Sequence, residues 1–146
     1  MSWNQARAYC TAVGGRLPLE DEWEYVARAG NPSSRYDALG QIGWYDANSG
    51  SRTHDVGAKL PNAFGLSDML GNVWEWVEDR YDAKRYTKRP NPDRVSEARE
   101  GWNGVLRGGS WDVVSSVARA SVRRSVDART VDKSFGFRCA GDFPVP

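Results

Sequence analysis

The chain holds few residues able to do redox or nucleophilic chemistry: two cysteines and one histidine in 146 residues. Cys10 and Cys139 stand far apart in the sequence. Two readings of them stay open: buried thiols that behave as small hydrophobes, or a bridge that closes almost the whole chain. Such a bridge would contribute roughly 4–5 kcal/mol by restricting the unfolded state. His54 lies in a stretch rich in Gly, Ser, Asn and Asp. A lone loop histidine there reads as solvated rather than as the base of a Ser/His/Asp set. The C-terminal third holds a different resource. Arg107, Arg119, Arg123, Arg124, Arg129, Lys133 and Arg138 face only Asp112, Asp127 and Asp132. No aromatic interleaving offers a stacking platform, so some of these arginines are read as pairing with local carboxylates, not as a nucleic-acid site.

Composition narrows the classes further. One hundred and forty-six residues make one domain, read as 1–146. Charged residues at 27% and hydrophobic ones at 40% are ordinary for a folded globular protein. Lys and Arg number 20 against 19 Asp and Glu, so the net charge is +1 and lacks the basic excess of a nucleic-acid binder. No apolar run reaches membrane-spanning length, so no membrane insertion is expected. Met1–Gln5 has neither a basic nor an apolar leader region, so no signal peptide and no compartment is read from the chain. Seven Trp with 15 Gly suggest a loop-rich domain whose small core is filled by large rings.

The elements that would position these residues follow from spacing. Ser2 and Gln5 fit a capping box, and Trp3, Ala6, Cys10 and Val13 recur on one helical face up to Gly14-Gly15. A second helix is expected over 20–29, with Glu20, Asp21 and Glu22 against its N-terminal dipole. From Asn31 to Phe64 no period is sustained, so loops dominate, with Tyr36, Trp44 and Tyr45 packing them down. Residues 80–103, with Pro90 and Pro92, look like an exposed insertion. Strands are expected at 73–77, at 105–107, at 117–123 and at 135–139. Helices first and short strands afterwards make an α+β pattern without a βαβ rhythm.

Specific blocks then carry a resemblance. Ala8-Tyr9-Cys10, Gly15-Arg16-Leu17-Pro18, Glu22-Trp23-Glu24-Tyr25, Asn62-Ala63-Phe64-Gly65-Leu66, Gly71-Asn72-Val73-Trp74-Glu75-Trp76, Arg107-Gly108-Gly109-Ser110-Trp111 and Gly136-Phe137-Arg138-Cys139 span nearly the whole chain. They resemble the formylglycine-generating enzyme (sulfatase-modifying factor) family. That resemblance implies a C-type-lectin-like α+β fold with two helices, a small antiparallel sheet and much irregular loop. It also implies that the family's usual N-terminal segment is lacking here.

The resemblance implies sites as well. The family's enzymes oxidise a substrate cysteine with a copper-binding cysteine pair shortly after the Gly-Gly-Ser-aromatic motif. The matching positions here are Val113 and Ala118, neither of which can bind a soft metal or act as a thiol. No copper and no catalytic residue is therefore expected. The related sulfoxide synthases use a three-histidine iron site, and His54 alone cannot supply it. In family members whose cysteines pair, the positions of Cys10 and Cys139 join the first helix to the last strand. Asp68, Gly71, Val73 and Glu75 match a structural calcium site of the family, where side chains and carbonyls supply the oxygens a hard cation wants. The bland alternative is that Asp68 caps a turn and Glu75 lies at the sheet surface. Of the second family calcium site only Asn48 is recognisable. Arg119 and Arg123 match family arginines and suggest a structural role.

Between two intact motifs, residues 112–134 consist almost wholly of Val, Ser, Arg, Ala, Asp and Thr, with Ala128 and Val131 where family members carry Pro and Arg. This stretch is similar to the variable segment of diversity-generating retroelement proteins, which use the same fold. Their adenine mutagenesis yields codons that cannot encode Lys, Glu, Gln, Met or Trp. Only Lys133 in this stretch belongs to that group. The sequence reading is a non-catalytic module whose patch of Trp111, Asp112, Val113, Ser116, Arg124, Ser125, Val126, Thr130, Val131, Asp132 and Ser134 binds a protein ligand. A formylglycine-generating-enzyme-like oxidoreductase, or its degenerate remnant, is the alternative.

Overall fold

The computed structural model describes residues 1–84 and 101–141. The first helix starts where its capping residues place it. Gln5 N donates to Ser2 Oγ at 3.4 Å, and Ser2 N donates to the Gln5 side chain at 2.8 Å. Helix α1 spans Trp3–Ala12 and buries Trp3, Ala6 and Cys10, one face of the helix. Helix α2 spans Glu20–Arg28 and buries Glu20, Trp23 and Ala27. It ends one residue before the expected boundary because Ala29 takes the left-handed conformation of a C-cap, with φ at 46°. A single-turn helix, α3, Leu39–Ile42, interrupts the expected loop, and four residues are too few to show a period.

Four strands form one sheet: β1 Trp74–Arg80, β2 Asn103–Arg107, β3 Arg123–Asp127 and β4 Phe135–Phe137, in the order β3-β2-β1-β4. β1 pairs antiparallel with β2 and parallel with β4, and β2 pairs antiparallel with β3. Side-chain alternation gives the sheet two buried faces. On one, Trp74, Trp76, Leu106 and Phe135 pack with Trp3, Ala6 and Cys10 of α1. On the other, Val77 and Val105 pack with Trp23 and Ala27 of α2. The sheet thus sits between the two helices, and Trp3 Nε1 reaches Val77 O at 2.7 Å. Cys10 and Cys139 form a disulfide, tying α1 to the segment after β4 across 129 residues.

Several sequence expectations need correction. Residues 117–123 are not a strand: turns occupy 117–122, and pairing begins only at Arg123. The alternation was genuine burial of Ala118 and Ala120 with another cause. The carbonyls of this segment face guanidinium groups, Ala118 O toward Arg35 and Ala120, Ser121 and Val122 O toward Arg107. The last strand stops at Phe137, and Ala140 makes an isolated bridge with Arg16. β1 runs three residues beyond the expected 73–77 because Glu78 and Asp79 find polar partners inside. Of the expected insertion, Arg80 and Asn103 belong to strands and Trp102 is core, while residues 85–100 lie outside the described residues.

Candidate functional site

The motif Gly108-Gly109-Ser110-Trp111 leaves β2 and turns beneath the segment 113–118. Gly109, at φ +85°, permits that turn, and a Cβ placed on it would lie 3.3 Å from Val113 Cγ2 and 3.4 Å from Ala118 Cβ. The two aliphatic residues that the sequence resemblance matches to the thiol positions therefore meet over the same glycine. Ala118 is fully buried and Val113 packs against both hydrophobic cores. No free thiol is left to stand beside them, because both cysteines are spent in the Cys10–Cys139 bridge.

His54 is not a solvated loop residue. Its ring stacks on Trp44 at 3.7 Å, and Nε2 lies 2.7 Å from Ser49 O. That nitrogen contacts a carbonyl, so it has no hydroxyl to activate. The Ser49 hydroxyl donates instead to Trp111 O.

The four calcium-matching positions divide. Asp68 is buried; its Oδ2 accepts from Gly57 N at 2.7 Å, and its Oδ1 is without a partner. Glu75 already has a cation. Arg138 donates to both Glu75 oxygens at 2.7 Å, and Trp23 Nε1 donates to Oε2 at the same distance. Arg138 also reaches Ser67 O and Asp68 O. Burial alone would lower the pKa of that guanidinium, but the adjoining Glu75 carboxylate outweighs burial and raises it. Gly71 and Val73 lie on the chain between these two acids. Arg138 thus neutralises the Glu75 end of the motif, while the buried Asp68 Oδ1 at the other end has no hydrogen-bond partner. Among the described residues no group of three or more His, Cys, Asp or Glu is placed to hold a metal.

Beneath the variable stretch lies a buried ion network. Arg107 is fully buried and bonds Glu24, with Glu20 Oε1 3.5 Å away. Arg123 donates to Glu20 Oε1 at 2.5 Å and to Oε2 at 2.9 Å. Arg123 thus has the structural role expected of it, whereas Arg119 is exposed. Arg35, which the sequence did not single out, donates to Ala118 O and Ser115 O and pins the turn from outside. No periodicity surrounds Arg35, so nothing in the sequence flagged it.

Above this network the expected patch is only partly assembled. Asp112, Ser116, Arg124, Ser125, Val131 and Asp132 are exposed, and Val113, Val126 and Thr130 are half-buried. Two expected members are not surface residues. Ser134 is buried because its backbone carbonyl accepts from Trp74 N and its hydroxyl donates to Asp132 Oδ1. Trp111 is buried under the ammonium of Lys133, which sits 4.8 Å from its ring centroid. Ser125 is separated from Arg124 by the alternation of β3. Arg124 lies over the rings of Trp74 and Phe135 at 5.6 and 5.2 Å, while Arg123 on the Ser125 side turns to Glu20. Hydrogen bonds from the Ser134 hydroxyl and amide hold the Asp132 carboxyl below its ordinary pKa, with Arg124 and Lys133 adding to the effect.

Comparison with known proteins agrees with this geometry. The chain is 36% identical to the Streptomyces coelicolor formylglycine-generating enzyme over 162 residues, covering 97% of this chain and 51% of that protein. It is 31% identical to the inactive C-alpha-formylglycine-generating enzyme 2 of Bos taurus, covering 96% of this chain and 48% of that one. It superposes on a solved structure, Treponema denticola variable protein 1, with a TM-score of 0.70 and 34% identity over 84% of this chain and 45% of that one. The chain spans about a quarter to about half the length of the curated relatives it matches. These neighbours share the C-type-lectin-like α+β fold that the sequence motifs imply. Residues 1–143 match the sulfatase-modifying factor enzyme 1-like domain, and the chain belongs to that family.

Proposed function

We propose that this chain is a non-catalytic binding module of the variable-protein kind, presenting the surface of residues 112–133 to a protein ligand. One observation carries the reading: Val113 and Ala118 pack together over Gly109, at the two positions that the sequence resemblance matches to the family enzymes' thiol pair. An alkyl pair can neither bind copper nor pass electrons to a substrate thiol. What stays around it is a rigid frame with an exposed rim. Asp112, Ser116, Arg124 and Val131 stand out from a support fixed by Arg35, Arg107 and Arg123, so little flexibility is lost when a ligand binds. The likeness to a variable protein supports the same conclusion.

The test uses the purified chain, loaded with copper(I) under reducing conditions and offered a cysteine-containing peptide. The proposal expects no copper retained against a chelator and no oxygen consumed above background. Copper retention with peptide oxidation would overturn it in favour of an oxidoreductase.

A further inference from the structure

The acids and the cations of the variable face are treated differently. Each of its aspartates has spent acceptor capacity on a neighbour. Asp112 accepts from Ser110 Oγ, Asp127 accepts from Arg129, and Asp132 accepts from the amide and hydroxyl of Ser134. Two of its exposed cations, Arg124 and Lys133, have spent none. Among the described residues their side chains donate no hydrogen bond, and each lies against buried aromatic rings. Ring contact fixes a cation in place through its alkyl stem and its charge while leaving the N–H groups free.

The two cations belong to one surface. Lys133 covers Trp111, whose amide donates to Asn72 O, two residues before Trp74. Trp74 lies under Arg124 and donates its own amide to Ser134 O, next to Lys133. Val131, 65% exposed, lies two residues before Lys133. The face therefore offers fixed, unsatisfied donors beside a bare aliphatic group.

Resting on the binding-module reading, we propose that the ligand is an acidic protein segment. Its carboxylates would take the Arg124 guanidinium and Lys133 ammonium, with an apolar side chain against Val131. Carboxylates are the strongest acceptors a protein ligand can bring to such donors, and opposite charge also speeds the encounter. A nucleic-acid strand fits less well. The rings beneath the cations are covered, so no base can stack on them, and two cations track little backbone.

An array of short random peptides, probed with the wild-type chain, with Arg124→Ser/Lys133→Ser, with Val131→Asp and with Arg28→Gln, tests this. Arg28 lies on α2, across the sheet from the proposed face. Peptides whose binding depends on Val131 are expected to be rich in Asp and Glu. They should bind the double variant at least about tenfold more weakly and Arg28→Gln unchanged. Raising salt should weaken them as well. The reversed variant Arg124→Glu/Lys133→Glu should turn the preference toward Lys and Arg peptides. Val131-dependent peptides with no acidic bias, or a single-stranded oligonucleotide that displaces the acidic ones, would overturn this inference and leave the binding module standing. No peptide sensitive to any of the face variants would overturn both.

Discussion

Arg123 and Arg124 are neighbours on one strand and do opposite things. Arg123 turns toward α2, where a bidentate ion pair with Glu20 is almost sealed from water. Arg124 turns the other way, lies over two rings and, among the described residues, makes no hydrogen bond with its side chain. The pleat of β3 separates them, so one strand serves both the frame and the face. The comparison teaches that buried charge in this protein belongs to the support and exposed charge to the rim. A substitution on one side of β3 should therefore read out differently from one on the other.

The largest effects should come from the frame. Arg107→Ala leaves Glu20 and Glu24 short of a cation and frees three carbonyls, and losses of about 3–5 kcal/mol accompany a broken buried pair. Chemical denaturation should show it, with Arg123→Ser close behind. A frame variant that unfolds like wild type would break the comparison. Next comes the covalent tie. Cys10→Ser/Cys139→Ser removes a constraint spanning 129 residues, and a loss of roughly 2–5 kcal/mol is expected in the same assay. Arg124→Ser should do far less, within about 0.5 kcal/mol, as at other surface positions without a buried partner.

The smallest effect sharpens the frame side further. Glu78 is pushed above the ordinary carboxyl pKa, chiefly by burial, with Arg7 acting against the rise. A carboxyl raised in the folded state costs stability once it is ionised in both states. That cost is absent below the unfolded pKa and grows as pH rises through the folded one. Glu78→Gln should thus make stability less sensitive to pH across the weakly acidic range in parallel urea titrations. An unchanged pH slope would place the cost elsewhere.

Much of the frame was legible in the sequence because it follows local rules. The capping box at Ser2, the buried face of α1 and the strand around Trp74 and Trp76 each appear in spacing alone. The turn at 117–122 was misread because burial of Ala118 and Ala120 imitates strand alternation. What sets that turn is long-range, the guanidinium groups of Arg35 and Arg107 taking its carbonyls. Ser134 was placed on the surface for a related reason: a small polar residue gives no sign that its hydroxyl closes a turn inward. The Glu75–Arg138 pair spans 63 residues, and the motif around Glu75 does not reveal its partner.

The central claim is that the frame stands without the face. Replacing the exposed residues Asp112, Ser116, Arg124, Ser125 and Val131 together with other small polar residues tests it in one thermal melt. The account predicts a midpoint within about 3 °C of wild type, the shift expected of roughly 1 kcal/mol in a domain this size. A multiple variant that melts as early as Arg123→Ser would contradict it, showing that the face is part of the structure it was thought merely to decorate.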